Sequence, residues 1–274
     1  MVSSFIVVPQ WQGSGSSRAM QLAVGADAVR GDLPVSTVVV PVPLGAGSGQ
    51  GSGVHRLTAI QMVRAETRTS LEAAQGIPIV VGGDCGIELA AIEHAATSVA
   101  GRTIAVLWFD AHADLNTPAS SPSGAFHGMV LRTLLGEGLD ALVPANPLVP
   151  SQVVLAGVRA LDAAEAEYIE ASGIRMLSPD SLTPKSLATA LKDSGAHAVY
   201  IHIDLDVLDP GEFAALDYPE PFGLSAAVLI ELIRAARATL PLAGAGITEF
   251  APGSPDQAAD DLPTILRIIG ALTS

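Results

Sequence analysis

The stretch TIAVLWFDAHADLNT, residues 103–117, decides the fold. It opens with an unbroken apolar run rich in β-branched and aromatic residues. Such a run reads as a strand buried on both faces, and strands of that kind belong to parallel sheets lying under helices. The run stops abruptly at Asp110. His112 and Asp114 follow at alternate positions. A strand that continued through them would aim all three side chains at one side.

Similar runs recur along the chain: FIVV (5–8), STVVVPV (36–42), IPIVV (77–81), SQVVLA (151–156), GIRML (173–177), AVYIHIDL (198–205) and AGITEF (245–250). Between many of them lie Ala/Leu-rich segments of helical character. These are LTAIQMVRAETRTSLEAA, ELAAIEHAATSVA, SLATALKDS and SAAVLIELIRAARATL. Strands alternating with helices predict an α/β fold with about eight strands in a mostly parallel sheet. No repeat of fixed period stands out. LGAGSGQGSG (44–53) lacks the Gly-Lys-Ser/Thr ending of a phosphate loop and reads as a mobile loop, and ALVPANPLVPS (141–151) reads as a second loop. The alternation resumes in phase after each, so residues 1–274 are expected to form a single domain.

Composition narrows the function. Hydrophobic residues make up 49% of the chain and aromatic residues only 4%, so a large core must be built mainly from Ala, Val, Leu and Ile. Acidic residues number 28 against 14 basic, a net charge of −14. That field repels nucleic acid and anionic membranes and suits a small cationic substrate. The lone Cys85 excludes an internal disulfide. The start, MVSSFIVVPQ, has no basic segment before its short apolar run, and no stretch reaches the roughly 18 apolar residues of a membrane span. A cytoplasmic protein is expected.

The strand ends carry the chemistry, because ligands of open parallel sheets bind beyond the carboxyl ends of the strands. GGDC follows IPIVV, DAHAD follows TIAVLWF, DLDVLDP follows AVYIHI, and EFAP follows AGIT. A lone aspartate at such a place would cap a helix or make a turn, and Asp209, out of phase and before Pro210, is read that way. The whole set is different. Asp110, Asp114, Asp204 and Asp206, converging with His112, stay ionised together only if divalent cations neutralise them. Hard oxygen donors with one imidazole favour Mn²⁺ or a similar ion.

GGDCG, FDAHADLNT, SGAFHGM, HIDLDVLDP and TEFAP, in this order, resemble the ureohydrolases, the family of arginase and agmatinase. The resemblance covers most of the chain, and GADAVR (25–30) looks like the family's glycine-containing start of an N-terminal helix. It implies a three-layer α/β/α fold on an eight-stranded sheet. It implies hydrolysis of a guanidino carbon by a hydroxide bridging two Mn²⁺ ions, and a homo-oligomer, trimeric or hexameric. By resemblance, Asp110 and Asp204 bridge both metals, Asp114 binds the first, and His112 and Asp206 bind the second. His127 resembles the histidine that shuttles protons, and Glu249 the glutamate that pairs with the guanidinium. In arginase-like members, Asn116, Ser121 and Ser123 match residues that hold the substrate's α-carboxylate. Asp162 and Glu165 match those that hold its α-ammonium. Ala160 replaces an acid common there, and Tyr218 in LDYP departs from the usual small residues in a way that would narrow the pocket.

Cys85 stands where the family usually has the histidine of the first metal. Three readings remain open: a soft thiolate ligand favouring Zn²⁺, a neutral neighbour of a weakened first site, or a nucleophile. The last is weakest, because anionic neighbours raise a thiol's pKa. The first site is therefore expected to bind Mn²⁺ weakly or to hold another divalent ion. The main functional reading is release of urea from arginine or a related guanidino amino acid. The alternatives are an agmatinase-like or other guanidino-acid hydrolase, a non-catalytic relative with a degraded first site, and a deacetylase-like amidohydrolase, since that family shares the fold.

Overall fold

The computed structural model describes residues 2–98 and 103–274. Among them, eight strands form one all-parallel sheet in the order β2-β1-β3-β8-β7-β4-β5-β6. They are β1 (Ser3–Val7), β2 (Val38–Val39), β3 (Ile77–Val81), β4 (Ile104–Phe109), β5 (Val153–Ala156), β6 (Arg175–Leu177), β7 (Ala198–Asp204) and β8 (Leu242–Thr248). Each apolar run singled out in the sequence carries one of them. The edge strands β2 and β6 are short and largely exposed. The central strands β4 and β7 are buried at every position.

Among the described residues, eight α-helices cover the two faces: α1 (Gln21–Arg30), α2 (Leu57–Ala73), α3 (Glu88–Ser98), α4 (Val130–Leu134), α5 (Ala163–Ser172), α6 (Pro184–Asp193), α7 (Ala226–Thr239) and α8 (Pro255–Thr273). Successive side chains of a strand point to opposite faces, and the apolar residues accordingly divide into two cores. Val7, Ile79, Val81, Leu107 and Ile201 pack with residues of α1, α6, α7 and α8. Ile6, Val80, Val106, Trp108 and Tyr200 pack with residues of α2, α3 and α4, and Tyr168 and Ile169 of α5 lie against them. This is the three-layer α/β/α arrangement. Ser225 and Ser254 cap α7 and α8 by accepting the backbone N–H of Val228 and Gln257.

Some boundaries differ from the sequence reading. The helix expected to open at Gly25 opens at Gln21. Gly25 lies inside it, where a Cβ would come within 2.0 Å of the Phe250 carbonyl oxygen, so the glycine serves close packing. α4, α5 and α8 were not anticipated. The last two residues of ELAAIEHAATSVA lie outside the described residues, as does Met1. Residues 44–53 form irregular loop, as read. No helix among the described residues is long and apolar enough to cross a membrane.

Candidate metal centre and substrate cleft

β3, β8, β7 and β4 lie side by side at the middle of the sheet, and each ends at the same edge in polar residues. After β3, Gly82 and Gly83 take φ of +88° and +83°, a region open to glycine at little cost. Asp84 then fixes the turn by accepting from the backbone N–H of Gly13 and Gly86, both at 2.8 Å, and from Gln10 Nε2 at 2.9 Å. This seats Cys85 in the interior, 1% exposed.

The convergence of the aspartates has a different cause from the strand pleat expected. β4 ends at Phe109, so Asp110 and His112 lie in a bend and Asp114 in the irregular backbone just after it. β7 ends at Asp204, and Asp206 sits in a short 3₁₀ turn, Leu205–Val207. In each case the first carboxylate accepts a backbone N–H two residues on. His112 N–H donates to Asp110 Oδ1 at 2.6 Å and Asp206 N–H to Asp204 Oδ1 at 2.8 Å. Asx turns, not alternation, curl these segments back over the sheet edge. Asp114 (φ +52°) and Glu249 (φ +66°) adopt left-handed backbone. That conformation costs non-glycine residues about 1–3 kcal/mol and concentrates at functional sites.

Three groups of donors result, each with its atoms within 4.8 Å of one another: Asp110, His112 and Asp206; Cys85, Asp204 and Glu249; and Cys85, Asp110 and His202. His112 Nδ1 lies 2.9 Å from Asp206 Oδ2 and 3.5 Å from Asp110 Oδ1. Cys85 Sγ donates to Asp204 Oδ2 at 3.1 Å and sits 3.3 Å from Thr248 Oγ1. Asp114 lies outside the three groups, with Oδ2 buried and unpartnered.

The electrostatics of this cluster call for added positive charge. Burial first, then neighbouring carboxylates, push Asp114 and Asp204 well above the usual carboxylate range. Burial would raise Asp110 too, but His112 and His202 hold it below its usual value. His112 is raised because Asp206 and Asp110 outweigh its burial. Burial, followed by the Asp204 carboxylate, pushes the Cys85 thiol far above its ordinary value. Buried Asp114 Oδ2 and Glu249 Oε2 have no partner of their own. Hard, buried oxygen donors with orphaned lone pairs fit divalent cations.

Above the cluster opens a cleft of about 240 Å³. Its buried acidic wall is Asp114, Asp204, Asp206 and Glu249, with His112 and His127 beside them. His127 Nδ1 lies 3.5 Å from Glu249 Oε1, and its ring tilts against Tyr218 at 5.0 Å. Glu249 Oε1 also accepts the Cys85 N–H at 3.2 Å. Asn116, Ser121, Ser123, Asp162 and Glu165 line the remainder, with Ser123 and Asp162 exposed. Asn116 Nδ2 donates to Asp162 Oδ2 at 2.8 Å, and the Ser121 and Ser123 hydroxyls are 3.5 Å apart. Glu165 spends both carboxylate oxygens on the N–H groups of Leu115 and Asp162, each at 2.9 Å, and so holds this wall in shape. Asp209 is a turn residue, accepting from the N–H of Gly211 and Gly223.

A family model described as the arginase family matches residues 21–262. The chain belongs to that family. The arginase of Staphylococcus aureus (strain MRSA252) is 34% identical over 192 residues, which are 67% of this chain and 63% of that protein. The arginase of Bacillus subtilis (strain 168) is 34% identical over 157 residues, 54% of this chain and 52% of that one. The matched stretch thus spans between about half and under two thirds of the length of these curated relatives. In three dimensions the likeness runs the whole length. The crystal structure of Entamoeba histolytica arginase in complex with L-ornithine superposes with a TM-score of 0.86 at 22% identity, covering 98% of this chain and 97% of that one.

The sequence reading brought every candidate residue to this one region and missed three that sit directly behind it. His202, Glu88 and Tyr200 are fully buried beneath the candidate ligand residues. His202 was legible in principle. It stands two residues before Asp204 as Asp204 stands two before Asp206, but within an apolar strand a lone histidine reads as core.

Proposed function

We propose that the chain is a metal-dependent hydrolase of a guanidino C–N bond that acts on arginine or a related guanidino amino acid and releases urea. The observation that carries this reading is a single cleft whose buried wall is a multi-carboxylate donor set and whose outer wall is hydroxyl, amide and carboxylate. A substrate with a cationic planar end and a zwitterionic end fits both.

Asp110, Asp204, Asp206 and His112 would hold one Mn²⁺. Asp110, Asp204 and Asp114, beside Cys85, would face the other. Two such cations supply Lewis acidity and lower the pKa of water toward neutrality. Glu249 Oε2, buried and unpartnered, accepts the guanidinium N–H groups and turns its planar carbon toward the cluster. His127 is held by Glu249 through Nδ1, which leaves Nε2 to give a proton to the departing amine. Burial would lower His127, but Glu249 outweighs it and raises it above the usual histidine value. Asp162 meets the α-ammonium, while Asn116, Ser121 and Ser123 meet the α-carboxylate. Tyr218, packed on His127, narrows the cleft and limits the chain length accepted. Assembly as a trimer or hexamer, which rests on family resemblance, and a cytoplasmic location, which rests on the lone cysteine, complete this reading.

The test is a screen of urea release by the Mn²⁺-loaded protein over guanidino compounds of varied chain length, with and without the α-amino group. Arginine or a near homologue should give the highest kcat/KM. Preference for agmatine would move the reading to an amine substrate, and no urea from any compound would overturn it.

A further inference from the structure

Behind the first metal position lies a buried row of side chains that the proposed reaction does not use. His202, on β7, stacks on Trp108 of β4 with ring centroids 3.6 Å apart and an interplanar angle of 26°. The stack fixes the ring so that its two nitrogens face different ways. Nε2 points into the cluster, 3.8 Å from Asp110 Oδ2 and 3.9 Å from Cys85 Sγ. Nδ1 points away, toward Glu88 Oε1 at 3.5 Å, and both atoms are buried without a hydrogen-bond partner. Glu88 Oε2 accepts the Tyr200 hydroxyl at 2.6 Å. All three residues are at most 1% exposed.

The surrounding backbone is shaped for this row. On β8, a Cβ at Gly246 would lie 1.5 Å from Glu88 Oε1, and one at Gly244 would lie 3.0 Å from the Tyr200 ring. The two glycines of LAGAGIT thus leave the room that Glu88 and Tyr200 fill. A histidine that gives one nitrogen to a buried carboxylate and keeps the other for a metal is the usual arrangement of a metal-bound imidazole, because the carboxylate fixes the tautomer and raises ligand basicity.

We propose that His202 supplies the imidazole of the first metal position through Nε2, with Glu88 and Tyr200 as its positioning residues, in place of the histidine absent at position 85. Cys85 then serves as a neutral thiol that orients Asp204. This rests on the metal-dependent reading above. It changes the expectation drawn from Cys85 alone, because the first site has a nitrogen donor after all.

The experiment uses the full chain, stripped with chelator and titrated with Co²⁺ as the probe, with histidines ¹⁵N-labelled. The unmodified protein should bind two Co²⁺ and show strongly hyperfine-shifted ring signals from two directly bonded imidazoles. His202→Gln should remove one of them and weaken one site by at least about 100-fold, and Glu88→Gln should weaken the same site by about 10–100-fold. Cys85→Ser should keep both signals. Two sites of unchanged affinity in His202→Gln, or a single metal-bonded imidazole in the unmodified protein, would overturn the proposal and leave the hydrolase reading standing. No Co²⁺ bound by the unmodified protein would overturn both. The NMR result on the unmodified chain decides the matter even if His202→Gln fails to fold.

Discussion

Gly246→Ala probes the buried row through packing alone. The new Cβ would lie 1.5 Å from Glu88 Oε1, 2.4 Å from Glu88 Cδ and 2.7 Å from Oε2. Carbon and oxygen need well over 3 Å, so the carboxylate must retreat by about 2 Å. It cannot do so freely, because it is fully buried and held by the Tyr200 hydroxyl at 2.6 Å. Overpacking a filled core costs about 1–3 kcal/mol, and losing a hydrogen bond to a charged group costs about 1.5–3 kcal/mol. Together they predict a destabilisation of about 3–5 kcal/mol, a large share of the roughly 5–15 kcal/mol typical of a folded domain. Urea unfolding followed by circular dichroism measures it. Glu88→Ala removes the group struck, so in the double variant the alanine at 246 should cost at least 2 kcal/mol less than it does alone. A cost under about 1 kcal/mol for Gly246→Ala, or simple additivity, would refute this packing and with it the placement of Glu88 behind His202.

Asp110→Asn and Asp204→Asn should each lower turnover by about a thousandfold or more, since several kcal/mol of transition-state stabilisation depends on the ions they hold; urea assays with metal analysis check this. Asp162→Ala should raise KM for an α-amino guanidino acid by the equivalent of about 1.5–3 kcal/mol while sparing the des-amino analogue; equal effects would show that this wall does not read the amino group. For the metal-free protein, Asp114, Asp204, Asp206 and Glu249 are raised above the usual carboxylate range, and His112, His127 and His202 above the usual histidine range. Groups with raised folded-state pKa stabilise below their unfolded values and lose that contribution as pH rises through the folded ones. Tm in EDTA should therefore fall from about pH 5 to pH 8, a window above the unfolded carboxylate values. The increase in Tm on adding Mn²⁺ should grow over the same range, because metal binding needs the deprotonated ligands. A Tm in EDTA that rises with pH would contradict the assignment.

The fold was largely legible because parallel strands buried on both faces have to be apolar throughout, so runs such as IPIVV and TIAVLWF announce themselves. The missed helices lack a comparable signal. α8 carries Pro263 in its interior and two aspartates just before it, features that read as a break. α5 has little apolar segregation, with Glu165 its one fully buried residue. The site was legible from residue types and spacing, yet the local geometry was not. The period-two pattern suggested extended strands, whereas short carboxylates capturing their own backbone end the strands at Phe109 and Asp204. His202 escaped notice for a related reason. Its meaning lies in Trp108 of β4, Glu88 of α3 and Asp110 in the bend beyond β4, which meet it only in three dimensions.

In the proposed reaction, two metal ions in this cleft support hydrolysis of a guanidino group. The most direct measurement is the rate of urea release from arginine as a function of Mn²⁺ bound per chain. Release should reach its full rate only as the second ion binds and should vanish when both are stripped. A full rate at one ion per chain, or no urea with two ions bound, would contradict it.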